Sequence, residues 1–93
     1  MAKITVRFRG PIGSHITGSA VEVNLQSSIT ITELLSHVMK QVPYLQTIWN
    51  SPTEIDRDSM ILCNEVDIGV SGGLNSLVND GDVLTILPLV HGG

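Results

Sequence analysis

Two glycines, Gly92 and Gly93, close the sequence. Glycine has no Cβ, so such a pair can lie extended in a narrow channel and leave a terminal carbonyl open to attack. The carboxylate of Gly93 is therefore the first candidate for chemistry. The other reactive side chains have weaker spacing. Cys63 sits between Leu62 and Asn64 in an apolar run with no paired base, and reads as a small core residue rather than a nucleophile. His15, His37, His91 and Cys63 show no metal-ligand spacing, so no metal site is expected. Asp56 and Asp58 resemble a carboxylate pair but fall in a polar stretch and read as solvated. Gly69-Val70-Ser71-Gly72-Gly73 lacks the Lys-Ser/Thr of a phosphate loop and reads as a turn. Leu89, Val90 and His91 lead into the glycine pair and are expected to touch whatever binds it. No residue of this chain is expected to be catalytic.

The tail needs a body to present it. The chain has 93 residues, which suggests one domain. Lys3 to Arg9 alternates, with Ile4, Val6 and Phe8 on one face and Lys3, Thr5, Arg7 and Arg9 on the other, as a half-buried strand does. Gly10-Pro11-Ile12-Gly13 breaks the run. Ala20 to Gln26 alternates again, with Val21, Val23 and Leu25 inward, so the two runs read as a hairpin. Thr30-Ile31-Thr32-Glu33 is a capping box. The apolar stripe Leu34, Leu35, Val38, Met39 and Val42 follows it at helical spacing, until Pro43 stops the helix.

Tyr44 to Asp58 has weak periodicity and reads as loop, with a short turn near Leu45–Trp49. Trp49 is expected as a lid over the core edge. Met60 to Asn64 reads as a buried strand, Asn64-Glu65 as a turn, and Val66–Ile68 as a brief return strand. Leu74 and Leu77 are expected to anchor one helical turn, and Asn79-Asp80-Gly81 a tight turn. Asp82 to Leu87 reads as a last strand whose ladder Pro88 should end. Residues 1–88 then form the domain and 89–93 a flexible tail. The fold class is α+β: a mixed sheet of four to five strands with one main helix packed on one face, the helix supplying the crossover for a parallel pair.

Composition narrows the function classes. Five Lys/Arg stand against nine Asp/Glu, without a basic cluster. Direct nucleic-acid binding and docking on anionic membranes thus lack electrostatic support. One cysteine excludes an internal disulfide and a four-cysteine cluster. Met1-Ala2-Lys3-Ile4 runs straight into the first strand without a signal-like apolar segment, and no apolar run is long enough to span a bilayer, so a cytoplasmic location is expected.

This layout resembles the ubiquitin-like sulfur carrier superfamily, whose fold is the β-grasp. That group includes the molybdopterin synthase small subunit, the thiamin sulfur carrier, the ubiquitin-related modifier of tRNA thiolation and the small archaeal modifier proteins. Three stretches carry the resemblance. They are Ile4–Phe8, Thr30-Ile31-Thr32-Glu33-Leu34-Leu35, and Asp80-Gly81-Asp82-Val83-Leu84-Thr85-Ile86-Leu87-Pro88 followed by Gly92-Gly93. Leu89 in place of a second proline and His91 before the diglycine depart from the molybdopterin type. His-Gly-Gly looks more like the tRNA-thiolation branch.

The resemblance implies that an E1-like adenylyltransferase uses ATP to activate the Gly93 carboxylate, which then becomes a thiocarboxylate. The chain itself would need no cofactor. The sulfur would go to molybdopterin, tRNA or thiamin, with a molybdopterin synthase large subunit or a tRNA thiolase as further partner. The alternatives are a modifier conjugated through Gly93 to lysines of target proteins, and a β-grasp interaction module with an inert tail. The resemblance also implies that the partner recognises an apolar patch on the sheet face not covered by the helix.

Overall fold

The computed structural model of the chain describes residues 1–89. Strands β1 (Ala2–Phe8) and β2 (Ala20–Leu25) form the expected antiparallel hairpin. The segment between them makes two 3₁₀ turns, Pro11–His15 and Thr17–Ser19. Gly13 is buried here, and a Cβ on it would lie 2.6 Å from the Phe8 carbonyl oxygen. The turn folds back too tightly on the end of β1 for any other residue.

A two-residue strand, β3 (Ile29–Thr30), leads into helix α1 (Ile31–Gln41). Both halves of the capping box form. The Glu33 N–H donates to Thr30 Oγ1 at 3.2 Å, and the Thr30 N–H donates to Glu33 Oε1 at 3.1 Å. The helix buries Leu34, Leu35, Val38 and Met39, as its spacing predicts, and Ile31 in addition, while Val42 falls at its C-cap and is half-buried. After a 3₁₀ turn (Pro43–Thr47), helix α2 (Pro52–Asp58) precedes β4 (Ser59–Cys63) and β5 (Val66–Asp67). Two further 3₁₀ turns, Ile68–Val70 and Gly73–Asn75, lead to β6 (Leu77–Val78) and β7 (Val83–Pro88).

The main sheet has five strands in the order β2-β1-β7-β4-β5, and β3 and β6 form a small second sheet. β7 runs parallel to β1 and antiparallel to β4. This is a β-grasp fold. Ile4, Val6, Phe8, Val23, Ile61, Leu84 and Ile86 point from the sheet into one core with the α1 stripe. Asn64 (φ 51) and Glu65 (φ 74) make the two-residue turn that joins β4 to β5, the positive φ pair such a hairpin requires.

Four expectations change. Residues 52–58 are a helix, not loop: Pro52 stands in the first turn, where its missing N–H is harmless. Ile55 is fully buried in the core, and Trp49 is 2% exposed, closer to a core residue than a lid. Met60 and Leu62 are not buried strand residues, because alternation along β4 sends them to the opposite face from Ile61. Leu77 anchors no helical turn. It lies exposed in β6, opposite Thr30.

Pro88 does not end the pairing. It lies opposite Ser59, and the Leu89 N–H donates to the Asp58 carbonyl at 2.8 Å. Odd-numbered residues of β7 bond toward β4, as the Val83 carbonyl does with the Asn64 N–H, while the Ile86 carbonyl bonds toward β1 through the Arg9 N–H. The absent N–H of Pro88 therefore faces the β1 side, beyond that strand's end, and costs no ladder bond.

Candidate functional site

The residues that alternate with the core define the open face of the sheet. Register lines them up in rows. One row runs Glu22, Thr5, Val83. The next runs Ala20, Arg7, Thr85, Leu62. The third continues the same register through Arg9, Leu87 and Met60. In the second and third rows the β1 side is cationic and the β4 side, at Leu62 and Met60, is apolar, while Asn64 continues the first row beyond Val83. Met60 is exposed, while Leu62, Val83 and Leu87 are half-buried. Between the two ends a shallow concavity of about 410 Å³ is lined by Arg7, Arg9, Asn64, Glu65, Val83 and Thr85.

Leu89 continues the alternation of Val83, Thr85 and Leu87 on this face. Leu89, 69% exposed, follows β7 directly. Its backbone is tied by the bond to Asp58, and Asp58 is itself fixed on three sides. Trp49 Nε1–H donates to Oδ2 at 3.1 Å, and Arg57 donates from Nε at 2.8 Å and from its terminal nitrogen at 3.0 Å. Hydrogen bonding from the Arg57 guanidinium, assisted by Trp49, holds the Asp58 carboxyl below the usual carboxylate range. The expectation of a solvated Asp56–Asp58 pair is therefore half wrong: Asp56 is exposed, but Asp58 clamps the core to the root of the tail. Val90, His91, Gly92 and Gly93 lie outside the described residues.

The remaining candidates stay apart from this face. Burial, and secondarily the charge of Asp82, push the Cys63 thiol up, which disfavours the thiolate that a nucleophile needs. His15 stacks on Tyr44 with centroids 4.1 Å apart, and His37 is exposed on α1. Among the described residues no group of three His, Cys, Asp or Glu could hold a metal, and no helix is long and apolar enough to cross a membrane.

Sequence reasoning anticipated an apolar patch on the uncovered face but not all of its members. The β1 alternation already places Arg7 and Arg9 there. Reading Met60–Asn64 as buried concealed Met60 and Leu62. Only the neighbouring Arg57 partners Asp58 locally; Trp49 and Leu89 meet it through the fold.

Comparison with known proteins agrees with this architecture. Residues 14–93 match the ThiS family. The chain is 31% identical to a chain in the crystal structure of the Amycolatopsis orientalis BexX/CysO complex, covering 97% of this chain and 99% of that one with a TM-score of 0.73. Sulfur carrier protein CysO of Mycobacterium tuberculosis is 46% identical over 44 residues. That alignment covers 47% of each protein, so the chain matches about half the length of this curated relative. SAMP1 from Haloferax volcanii, 18% identical with a TM-score of 0.77 over 99% of this chain and 100% of that one, shares the fold.

Proposed function

The chain belongs to the ThiS family of ubiquitin-like sulfur carriers, and on that premise we propose that it carries sulfur on the carboxyl group of Gly93. An E1-like adenylyltransferase joins this carboxylate to the AMP portion of ATP, releasing pyrophosphate. A sulfur donor then attacks the carbonyl and displaces AMP, leaving a thiocarboxylate. This chain supplies the acyl group and the docking surface, and the partner supplies the catalytic groups. Neither Cys63, with its raised thiol, nor His15 or His37 is arranged to assist.

The observation that carries this reading is the position of β7. The strand lies in the middle of the sheet, and Leu89, which follows it and is held by its bond to Asp58, stands three residues before Gly92 in the sequence. Ordering such a segment in a partner's channel costs about 1–2 kcal/mol per residue in backbone entropy. A docking surface next to the tail offsets that cost, and the open face with Met60, Leu62, Leu87 and Leu89 supplies one. The structure of the Amycolatopsis relative is of a complex with a second protein, which fits a carrier working on a partner. Leu89, Val90 and His91 are the tail contacts this reading assigns.

Intact mass spectrometry tests it. The protein is incubated with ATP, a sulfide source and its host's E1-like enzyme. One oxygen should be exchanged for sulfur, localised to Gly93, and deletion of Gly93 should abolish the exchange. An unchanged mass for the intact protein, or the same exchange after the deletion, would sink the proposal.

A further inference from the structure

Arg7 and Arg9 are two of only five Lys/Arg residues in a chain of net charge −4. Both are exposed; Arg7 projects from β1 onto the open face, and Arg9, just past the end of β1, lines the same concavity. The ion pairs among the described residues are Lys3–Glu22 and Arg57–Asp58, so neither of these guanidiniums has a carboxylate partner within ion-pair distance there. They line the same concavity as Glu65 and Asn64, and Glu65 is its one acidic member. Moving along the rows toward β4, charge gives way to Thr85, Leu62, Leu87 and Met60. The protein thus places a cationic edge beside an apolar stripe on an otherwise acidic molecule, next to the root of the tail.

Such a face complements a surface of the opposite pattern. Guanidinium groups match carboxylates in bidentate geometry. Arg7 and Arg9 are two residues apart on one face of a strand, which separates their backbones by roughly 6–7 Å. Carboxylates one helical turn apart, or two apart on a strand, have similar spacing. Resting on the reading that a protein partner docks here to reach the tail, we propose that Arg7 and Arg9 are specificity contacts for a pair of carboxylates on that partner, set beside an apolar patch that covers Leu62, Leu87 and Met60. Exposed charges of this kind contribute little to the stability of a complex but guide its approach and orientation. Their effect therefore appears in association rate and KM, not in kcat.

The test uses the full chain in its host cells, with a photo-crosslinking amino acid at position 5, whose side chain lies on the same face between Glu22 and Val83. The crosslinked peptides should come from protein segments bearing at least two Asp or Glu residues near apolar ones. The crosslink should be lost in the double variant R7E/R9E, reduced but still present in R7K/R9K, which keeps the charge and loses the bidentate fork, and restored to R7E/R9E when the mapped carboxylates are changed to Arg. With the E1-like enzyme, R7E/R9E should raise KM about 10–100-fold at low salt with kcat unchanged, and added salt should shrink the difference.

A crosslink of equal yield in R7E/R9E overturns the proposal. So do a crosslink to RNA, a segment without carboxylates, and the absence of any crosslink. Unchanged thermal unfolding of R7E/R9E confirms that the variant folds. The sulfur reading is scored separately, by oxygen-for-sulfur exchange at saturating enzyme. Charge-dependent crosslinking without exchange removes that reading alone, and exchange with charge-independent crosslinking removes this one alone.

Discussion

Asp58 shows how much one carboxylate can organise. Its side chain takes hydrogen bonds from Trp49 and Arg57, and its carbonyl takes the Leu89 N–H. Because the folded state lowers its pKa, Asp58 favours folding whenever it is ionised. That contribution is complete above the unfolded value of about 3.9 and fades as pH falls through the depressed folded value. Glu33 behaves the same way, its carboxyl lowered first by the Thr30 backbone N–H and then by the Thr30 hydroxyl. Acid titration followed by the fluorescence of Trp49, the single tryptophan, should therefore show loss of structure beginning below about pH 4. Asp58→Asn should be less stable than the parent at pH 7 and lose less between pH 5 and pH 2. Equal stability of the two proteins at pH 7, with parallel acid limbs, would remove Asp58 from this role.

Short elements explain what the sequence concealed. β1, β2, α1 and β7 were legible because each repeats its period several times, and α1 adds a cap signal at Thr30 and Glu33. Helix α2 spans seven residues with a single fully buried side chain, Ile55. Two turns around one apolar residue give no periodicity to detect, and Pro52 reads equally well as a breaker or as a first-turn residue. β6 has two residues, and its partner β3 lies on the other side of α1 in the chain, so no local pattern predicts that pairing. β4 was recognised as a strand, yet three successive apolar residues, Met60-Ile61-Leu62, suggested burial on both faces where the structure buries one. The consequence for α2 is measurable. Ile55→Ala should cost about 2–5 kcal/mol in chemical denaturation, as expected for a fully enclosed core residue. A loss below about 1 kcal/mol would show that α2 is peripheral to the core.

At the scale of the whole molecule, the order β2-β1-β7-β4-β5 places one strand at the centre of the sheet. β7 completes the hydrophobic core with Leu84 and Ile86, and it contributes Val83, Thr85 and Leu87 to the open face before leading to Leu89. The general plan was legible from the alternation of the outer elements and from the capped helix between them. The order of the strands needed the structure. Composition alone could not reveal that two of five cations share one side of one concavity.

The same central pair has a mechanical consequence. β1 and β7 lie side by side and parallel, so Ala2 and Leu89 stand at opposite ends of the ladder. Tension applied between them loads the inter-strand bonds in shear, all at once. Tension between residues 2 and 25, which are paired neighbours in the hairpin, opens bonds one after another. In an optical trap, handles at residues 2 and 89 should require a clearly higher unfolding force than handles at 2 and 25. Equal forces would show that the β1–β7 ladder bears no special load. Pulling on Leu89 against a held residue 2 therefore loads the β1–β7 bonds in shear.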